Sequence, residues 1–342
     1  MTTSFTCEAE IAPGLETIAV QELQTRLSKY FRPLATASGL VRFTYSGDLE
    51  PLFDLKTINA IYLLLSFDIP RPKALLGHQY FHALLEAINQ IRRLHPADSF
   101  STLNIDAAGS DSSVMVRLKS ELANRLGLQP ADDKGDLLIR LRRTPGAAGW
   151  DVLIRLTPRP LATRPWRVQN YEGALNAAVA HAIVRLTQPD PADIFLNLGC
   201  GSGTLLIERF AAGQAQQIIG CDLDAIPLTL AVANAAAAGV NPELLQADAR
   251  QLSLSDASID KLCADLPFGQ LVGSHSTNTR LYPALLIEAA RVARQNAPFV
   301  IITHEIRLME TLLRQSRLWL TTQTIKITLN GLHPRIYVLK RS

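Results

Sequence analysis

The chain has 342 residues, 47% of them hydrophobic and 19% charged, with a formal net charge of +3. That length and balance describe an ordinary globular protein of two or three domains. No uninterrupted run of about 18 apolar residues occurs, which argues against a membrane-spanning helix. The opening MTTSFTCEAE lacks a basic stretch followed by an apolar core, so no signal peptide is expected. Cys7, Cys200, Cys221 and Cys263 are scattered without a CxxC pair, which points to reduced thiols in a cytoplasmic protein.

In chain order, a strand in FTCEAEI precedes APGLETIAVQELQTRL, where Leu15, Ile18, Ala19, Leu23 and Leu27 share one helical face. SGLVRFT and AIYLLLSF read as further strands, so residues 1–69 predict a small α+β domain. PRPK at Pro70 to Lys73 marks a boundary. Residues 70–160 follow with the helix FHALLEAINQIRRL, the strand STLNIDA and a second helix, SVMVRLKSELANRLG, stopped by Gly127. DLLIRLRR and WDVLIRLT around TPGAAG then predict a β-hairpin. Residues 161–171, within PRPLATRPWRVQNY, read as a basic linker.

Charge is concentrated here. Asp136 to Arg167 holds seven Arg, two Asp and no Lys or Glu, a local excess of +5 that leaves −2 for the rest of the chain. A polyanion is the natural partner of such a stretch, and a solvated edge hairpin is the competing reading. From residue 172 strands alternate with helices, which predicts a doubly wound parallel sheet closed by two terminal strands.

The chemistry sits in that C-terminal part. Asn197-Leu-Gly-Cys-Gly-Ser-Gly-Thr204 joins the first strand to its helix, and Gly199, Gly201 and Gly203 permit tight turning and close ligand approach. No Gly-Lys-Ser/Thr follows, so it is not a P-loop. Asp222 ends the second strand, where a carboxylate takes ribose hydroxyls. Asp248, followed by Ala249, falls where an adenine amine would donate. Each acid alone is an ordinary cap or turn residue. Together with Asn197, Ser202 and Thr204 they outline a crevice that suits S-adenosylmethionine.

The fourth strand ends in CADLPFGQ, Cys263 to Gln270. An exocyclic amine on a base is a poor nucleophile because its lone pair is delocalised. Asp265 and a backbone carbonyl of Leu266 or Pro267 would accept both N–H bonds and orient that lone pair toward a methyl donor, with Phe268 stacked on the base. The competing reading is a structural turn with Phe268 in the core.

These motifs carry a resemblance. APGLE near the start, NLGCGSGTLLIE, GCDLD, DLPFG with the downstream LYPALLIEAARV, and the closing GLHPRIYVLKR resemble the THUMP-domain tRNA guanine-N2 methyltransferases, class I S-adenosylmethionine-dependent enzymes. The resemblance implies a ferredoxin-like domain over 1–69, a THUMP domain over 70–160, the linker 161–171, and a Rossmann-like methyltransferase domain over 172–342. It implies N2 methylation of an acceptor-stem guanosine in tRNA, with the base flipped onto Phe268. Arg140, Arg142, Arg143, Arg159, Arg164 and Arg167 fall where the THUMP domain and linker would meet RNA phosphates. The family usually opens the glycine loop with Asp-Pro, whereas Asn197-Leu198 stands here. A basic residue commonly follows DLPFG; Gln270 stands here, and Arg280 is the candidate substitute.

Other features point elsewhere and lose. His78 and His82 have the spacing of a metal pair on a helix, but no third ligand is placed nearby, and no metal is expected. No histidine is placed to activate Cys263 as a nucleophile. Two rival functions stay open: an N2-guanine or N6-adenine methyltransferase for ribosomal RNA, and a tRNA-binding protein that has lost catalysis. A cytoplasmic monomer is expected, with the need for a helper subunit left open.

Overall fold

The computed structural model describes residues 4–267 and 274–342. The chain forms two compact units, one made of residues up to Ile11 together with Ala19–Leu161, the other of Ala12–Ile18 together with Ala162–Ser342. No helix among the described residues is long and apolar enough to cross a membrane.

The first unit is built on β1 (Phe5–Glu10), α1 (Glu16–Leu27, which begins in the segment assigned to the second unit), β2 (Phe31–Ala37), β3 (Leu40–Tyr45) and β4 (Ala60–Phe67). It continues through α2 (His78–Arg92), β5 (Thr102–Ala107), α3 (Ser113–Leu126), β6 (Gln129–Pro130), β7 (Leu137–Arg143) and β8 (Trp150–Arg155). All eight strands lie in one sheet, ordered β2-β3-β1-β4-β8-β7-β5-β6. The break expected near residue 70 does not divide that sheet, because β4 pairs antiparallel with β8 from Tyr62↔Arg155 to Phe67↔Trp150. Helix α3 is fixed at both ends: the Ser112 side chain accepts the Met115 N–H, and Gly127 closes the helix at φ 67°.

Strand periodicity decides the fate of the basic hairpin. On β7, Leu137, Ile139 and Leu141 point into the core, which places Arg140 and Arg142 together on the other face. There Arg140 pairs with Glu10 at 2.5 Å and Asp106 at 3.2 Å, and Arg142 with Glu8 at 2.5 Å. Fully buried Asp151 also accepts from Arg42. Much of the local positive charge is therefore matched by carboxylates that are distant in sequence.

The second unit contains α4 (Ala177–Leu186), β9 (Ile194–Leu198), α5 (Thr204–Ala211), β10 (Gln217–Asp222), α6 (Ala225–Ala237) and β11 (Glu243–Gln246). β12 (Lys261–Asp265), α7 (His275–Val292), β13 (Pro298–Thr303), α8 (Ile306–Gln315), β14 (Trp319–Lys326) and β15 (Arg335–Arg341) complete it. The sheet order is β11-β10-β9-β12-β13-β15-β14. β9 through β13 run parallel, and β15 and β14 add an antiparallel hairpin at one edge. Leu196, Leu262, Leu285, Phe299, Ile301 and Trp319 belong to the core against this sheet. Strand order reverses between β9 and β12, and in open parallel sheets ligands bind in the crevice outside the carboxyl ends at that point.

Candidate active site

A crevice of about 310 Å³ opens where this topology predicts, at the carboxyl ends of β9, β10 and β12. Five residues of the glycine loop expected to bind a cofactor line it: Asn197, Gly199, Gly201, Ser202 and Thr204. Asp222, Asp248 and Ala249 line it from the next two strand ends, and Asp265, Leu266 and Pro267 from the fourth. Phe268, the expected stacking residue, and Gln270 lie outside the described residues.

The loop is shaped to receive a ligand. Gly199 and Gly201 have φ of 63° and 52°, the left-handed region that penalises a side chain. A Cβ at Gly199 would meet no atom within 4 Å, and one at Gly201 would meet only the Tyr171 ring, at 3.9 Å, so both face open space. Gly203 differs from the expectation. It does not line the crevice, and a Cβ there would meet Ala231 of α6 at 3.2 Å, so its role is close helix packing.

Polar groups agree with an adenosyl cofactor. Asn197 is fully buried; its Nδ2 donates to the Cys263 carbonyl at 3.2 Å, while its Oδ1 has no hydrogen-bond partner among the described residues. Asp222 accepts the Gly201 N–H at 2.8 Å on one oxygen and the Asp224 N–H at 3.2 Å on the other. A carboxylate oxygen has two lone pairs, so each keeps one for a ribose hydroxyl. Asp248 is less available than expected. Arg250 grips it with Nε and a terminal nitrogen, at 2.6 Å for the shortest contact, and this pairing holds its carboxyl below the ordinary value. The residues present fit an S-adenosyl group, with the adenine end partly engaged by Arg250.

Asp265 is the distinctive group. It ends β12 half-buried, with no hydrogen-bond partner among the described residues, and burial pushes its carboxyl up to about 7. Beside it the Leu266 N–H donates to the Ile302 carbonyl at 3.0 Å. The Pro267 carbonyl accepts from Tyr282 Oη at 2.8 Å and from Asn278 Nδ2 at 3.0 Å. Both lone pairs of that carbonyl are thus occupied, which removes Pro267 from the two expected amine acceptors and leaves Leu266. Tyr282, on α7, lies in the LYPALLIEAARV motif but was given no role from the sequence, and Asn278, on the same helix, was not singled out. The thiols play no part, since Cys200 and Cys263 are buried and burial raises both pKa values.

The linker arginines fold back onto this unit. Arg164 is only 6% exposed and donates to Glu208 at 2.8 Å, so it is a buried structural cation and not a phosphate contact. Burial alone would raise Glu208, but hydrogen bonds from His181 and Arg164 bring it below its ordinary value. Arg167 donates to the Leu175 carbonyl and to Thr204 Oγ1. Of the candidate RNA contacts, Arg143, Arg159 and Arg280 are exposed.

Comparison with known proteins assigns the catalytic unit. Residues 164–335 match the UPF0020 family, described as an RMKL-like methyltransferase domain. The chain belongs to that family. Among curated relatives, the tRNA (guanine(6)-N(2))-methyltransferase THUMP3 of Bos taurus is 29% identical over 183 residues, 49% of this chain and 36% of that protein. The tRNA (guanine(6)-N2)-methyltransferase of Thermus thermophilus is 27% identical over 190 residues, 55% of this chain and 56% of that one. The chain thus spans roughly a third to a half of the curated relatives it matches. Among solved structures, TrmN from Thermus thermophilus superposes with a TM-score of 0.77 at 22% identity, covering 99% of this chain and 100% of that one. SMU.472, solved in complex with SAH, gives 0.66 at 17% identity, covering 99% and 98%. At those identities the structures establish a shared fold.

Proposed function

We propose that this protein transfers a methyl group from S-adenosylmethionine to the exocyclic N2 amine of a guanosine in tRNA. The observation that carries the proposal is the Asp265 carboxylate at the β12 end, which has no hydrogen-bond partner among the described residues and lines the crevice that the β9 glycine loop also lines. Both curated relatives described above are tRNA guanine-N2 methyltransferases, which supports guanosine in tRNA over other amines.

When bound, the cofactor supplies an electrophilic methyl on a positively charged sulfur. Asn197 and the open Gly199 and Gly201 backbone hold its amino-acid end, Asp222 holds the ribose, and Ala249 and Asp248 meet the adenine. Asp265 and the Leu266 carbonyl accept the two N–H bonds of the target amine and so turn its lone pair out of the ring plane. As the new N–C bond forms, the nitrogen becomes cationic and must lose one proton. Asp265, with its carboxyl at about 7, accepts that proton and acts as a general base near neutral pH.

A paired base cannot reach a half-buried carboxylate, so the target is flipped out of its helix, with Phe268 as the receiving platform. The acceptor stem is the site, delivered by the first unit acting as ferredoxin-like and THUMP modules. The exposed Arg143, Arg159 and Arg280 contact phosphates. The test is methyl transfer from labelled cofactor into unmodified tRNA transcripts. Asp265→Asn lowers the rate by roughly a thousand-fold or more, since it removes both the charge and the proton acceptor. Transfer at the wild-type rate would remove Asp265 from the reaction.

A further inference from the structure

The bonds around the Pro267 carbonyl form a directional network. A carbonyl only accepts, so the Tyr282 hydroxyl donates to it at 2.8 Å. The Tyr282 oxygen lies 2.7 Å from Thr303 Oγ1, which itself accepts the Glu305 N–H at 3.0 Å, so the Thr303 hydroxyl donates onward to Tyr282. Asn278 closes the circuit, with Nδ2 donating to the Pro267 carbonyl at 3.0 Å and to Glu305 Oε1 at 3.3 Å. Glu305 is also held by His275 Nδ1 at 2.9 Å. Tyr282 is fully buried and Asn278 1% exposed, and burial raises the Tyr282 phenol, which keeps it a donor.

These residues belong to α7, β13 and the start of α8, yet they converge on one carbonyl two residues past Asp265. A turn at a strand exit needs one such bond to be satisfied. Here two buried side chains take both lone pairs, and both are cross-braced to the end of the neighbouring strand. That is more restraint than burial of a single carbonyl requires.

We propose that Tyr282 and Asn278 are positioning residues for methyl transfer: together they clamp the Pro267 carbonyl and so hold Asp265 and the Leu266 carbonyl at the angle at which they meet the target amine. The inference rests on the proposed reaction at this site. Neither side chain touches substrate or cofactor; both act through the Pro267 carbonyl. Because the reacting amine must be aligned within a fraction of an ångström, loosening this turn lowers the transfer rate and spares cofactor binding, whose contacts lie on β9, β10 and the segment after β11.

The test uses the full chain as Tyr282→Phe, Asn278→Ala and the double variant. Tyr282→Phe keeps the ring and its packing and removes only the donor. Three quantities are measured: cofactor dissociation constant by calorimetry, single-turnover methyl transfer to tRNA, and hydrogen–deuterium exchange of peptides containing the Leu266 amide. The expected result is a cofactor constant within about two-fold of wild type, a rate lowered roughly ten-fold in each single variant and about a hundred-fold in the double, and faster exchange at Leu266. Wild-type rate and wild-type exchange in the double variant would overturn the proposal, as would a loss of rate fully matched by loss of cofactor binding. Exchange needs no substrate, so it decides whether the clamp holds the turn even if the wild-type protein methylates nothing in tRNA, the outcome that would sink the functional reading itself.

Discussion

Replacing Asp265 with asparagine should make the protein more stable, and increasingly so as pH rises. Partial burial, with no hydrogen-bond partner among the described residues, pushes the native carboxyl up to about 7, against 3.8 for the free side chain. That difference corresponds to about 4 kcal/mol, an upper bound for a group that keeps some contact with the crevice. Between those two values the native state holds a proton that the unfolded chain has released. Stability therefore falls as pH rises through the window and levels off above about 7, where both states are ionised. Asparagine cannot ionise, so the stability gained by Asp265→Asn should start near zero in acid and grow by about 2 to 3 kcal/mol between roughly pH 5 and pH 8. Urea unfolding reports it, followed by the buried Trp319 in a background with Trp150→Phe and Trp166→Phe. A stability difference that does not change with pH would mean that Asp265 is already solvated or paired, and the general-base assignment would fall with it.

Gly201→Ala should raise the dissociation constant for the cofactor by roughly ten-fold, because a methyl group at φ 52° is strained and fills the cradle; calorimetry with S-adenosylhomocysteine checks this, and unchanged affinity would move the ligand away from the loop. Arg164→Ala should cost about 3–5 kcal/mol of stability by leaving Glu208 buried with one partner fewer, while the salt dependence of tRNA binding stays the same; weaker RNA binding at unaltered stability would restore Arg164 as a phosphate contact. Arg250→Ala should tighten cofactor binding by up to about five-fold by freeing Asp248 from a half-exposed ion pair, whereas weaker binding would make Arg250 itself a cofactor contact.

The catalytic fold and most of its crevice were legible because their signals are local. Strand–helix alternation announces a parallel sheet, and acids at or just past the carboxyl ends of β10, β11 and β12 fall on one edge whatever the loops do. NLGCGSGT, Asp222 and DLP needed nothing more. Gly203 was misassigned because sequence cannot say whether a glycine faces a ligand or Ala231. For Arg140 and Arg142, counting charge left out their partners: Glu8 and Glu10 lie 134 and 130 residues from Arg142 and Arg140. The pairing of β4 with β8 that joins the first unit spans 83 to 93 residues, from Phe67↔Trp150 to Tyr62↔Arg155, and has no signature in either strand. The link from Tyr282 and Asn278 to the turn was hidden for the same reason, although Tyr282 stands in a motif the sequence displays. They follow Pro267 by 15 and 11 residues, and only the packing of α7 brings both to its carbonyl. Helical spacing offered a weak clue, since four residues separate them on one face.

The central claim is the atom that receives the methyl group. Incubation of the protein with unmodified tRNA transcripts and S-adenosylmethionine, followed by nuclease digestion and mass spectrometry of the nucleosides, identifies it directly. N2-methylguanosine is the expected product, located in the acceptor stem and absent with Asp265→Asn. A methyl group on adenine N6, on a ring carbon or on ribose, or N2-methylguanosine that persists with Asp265→Asn, would contradict it.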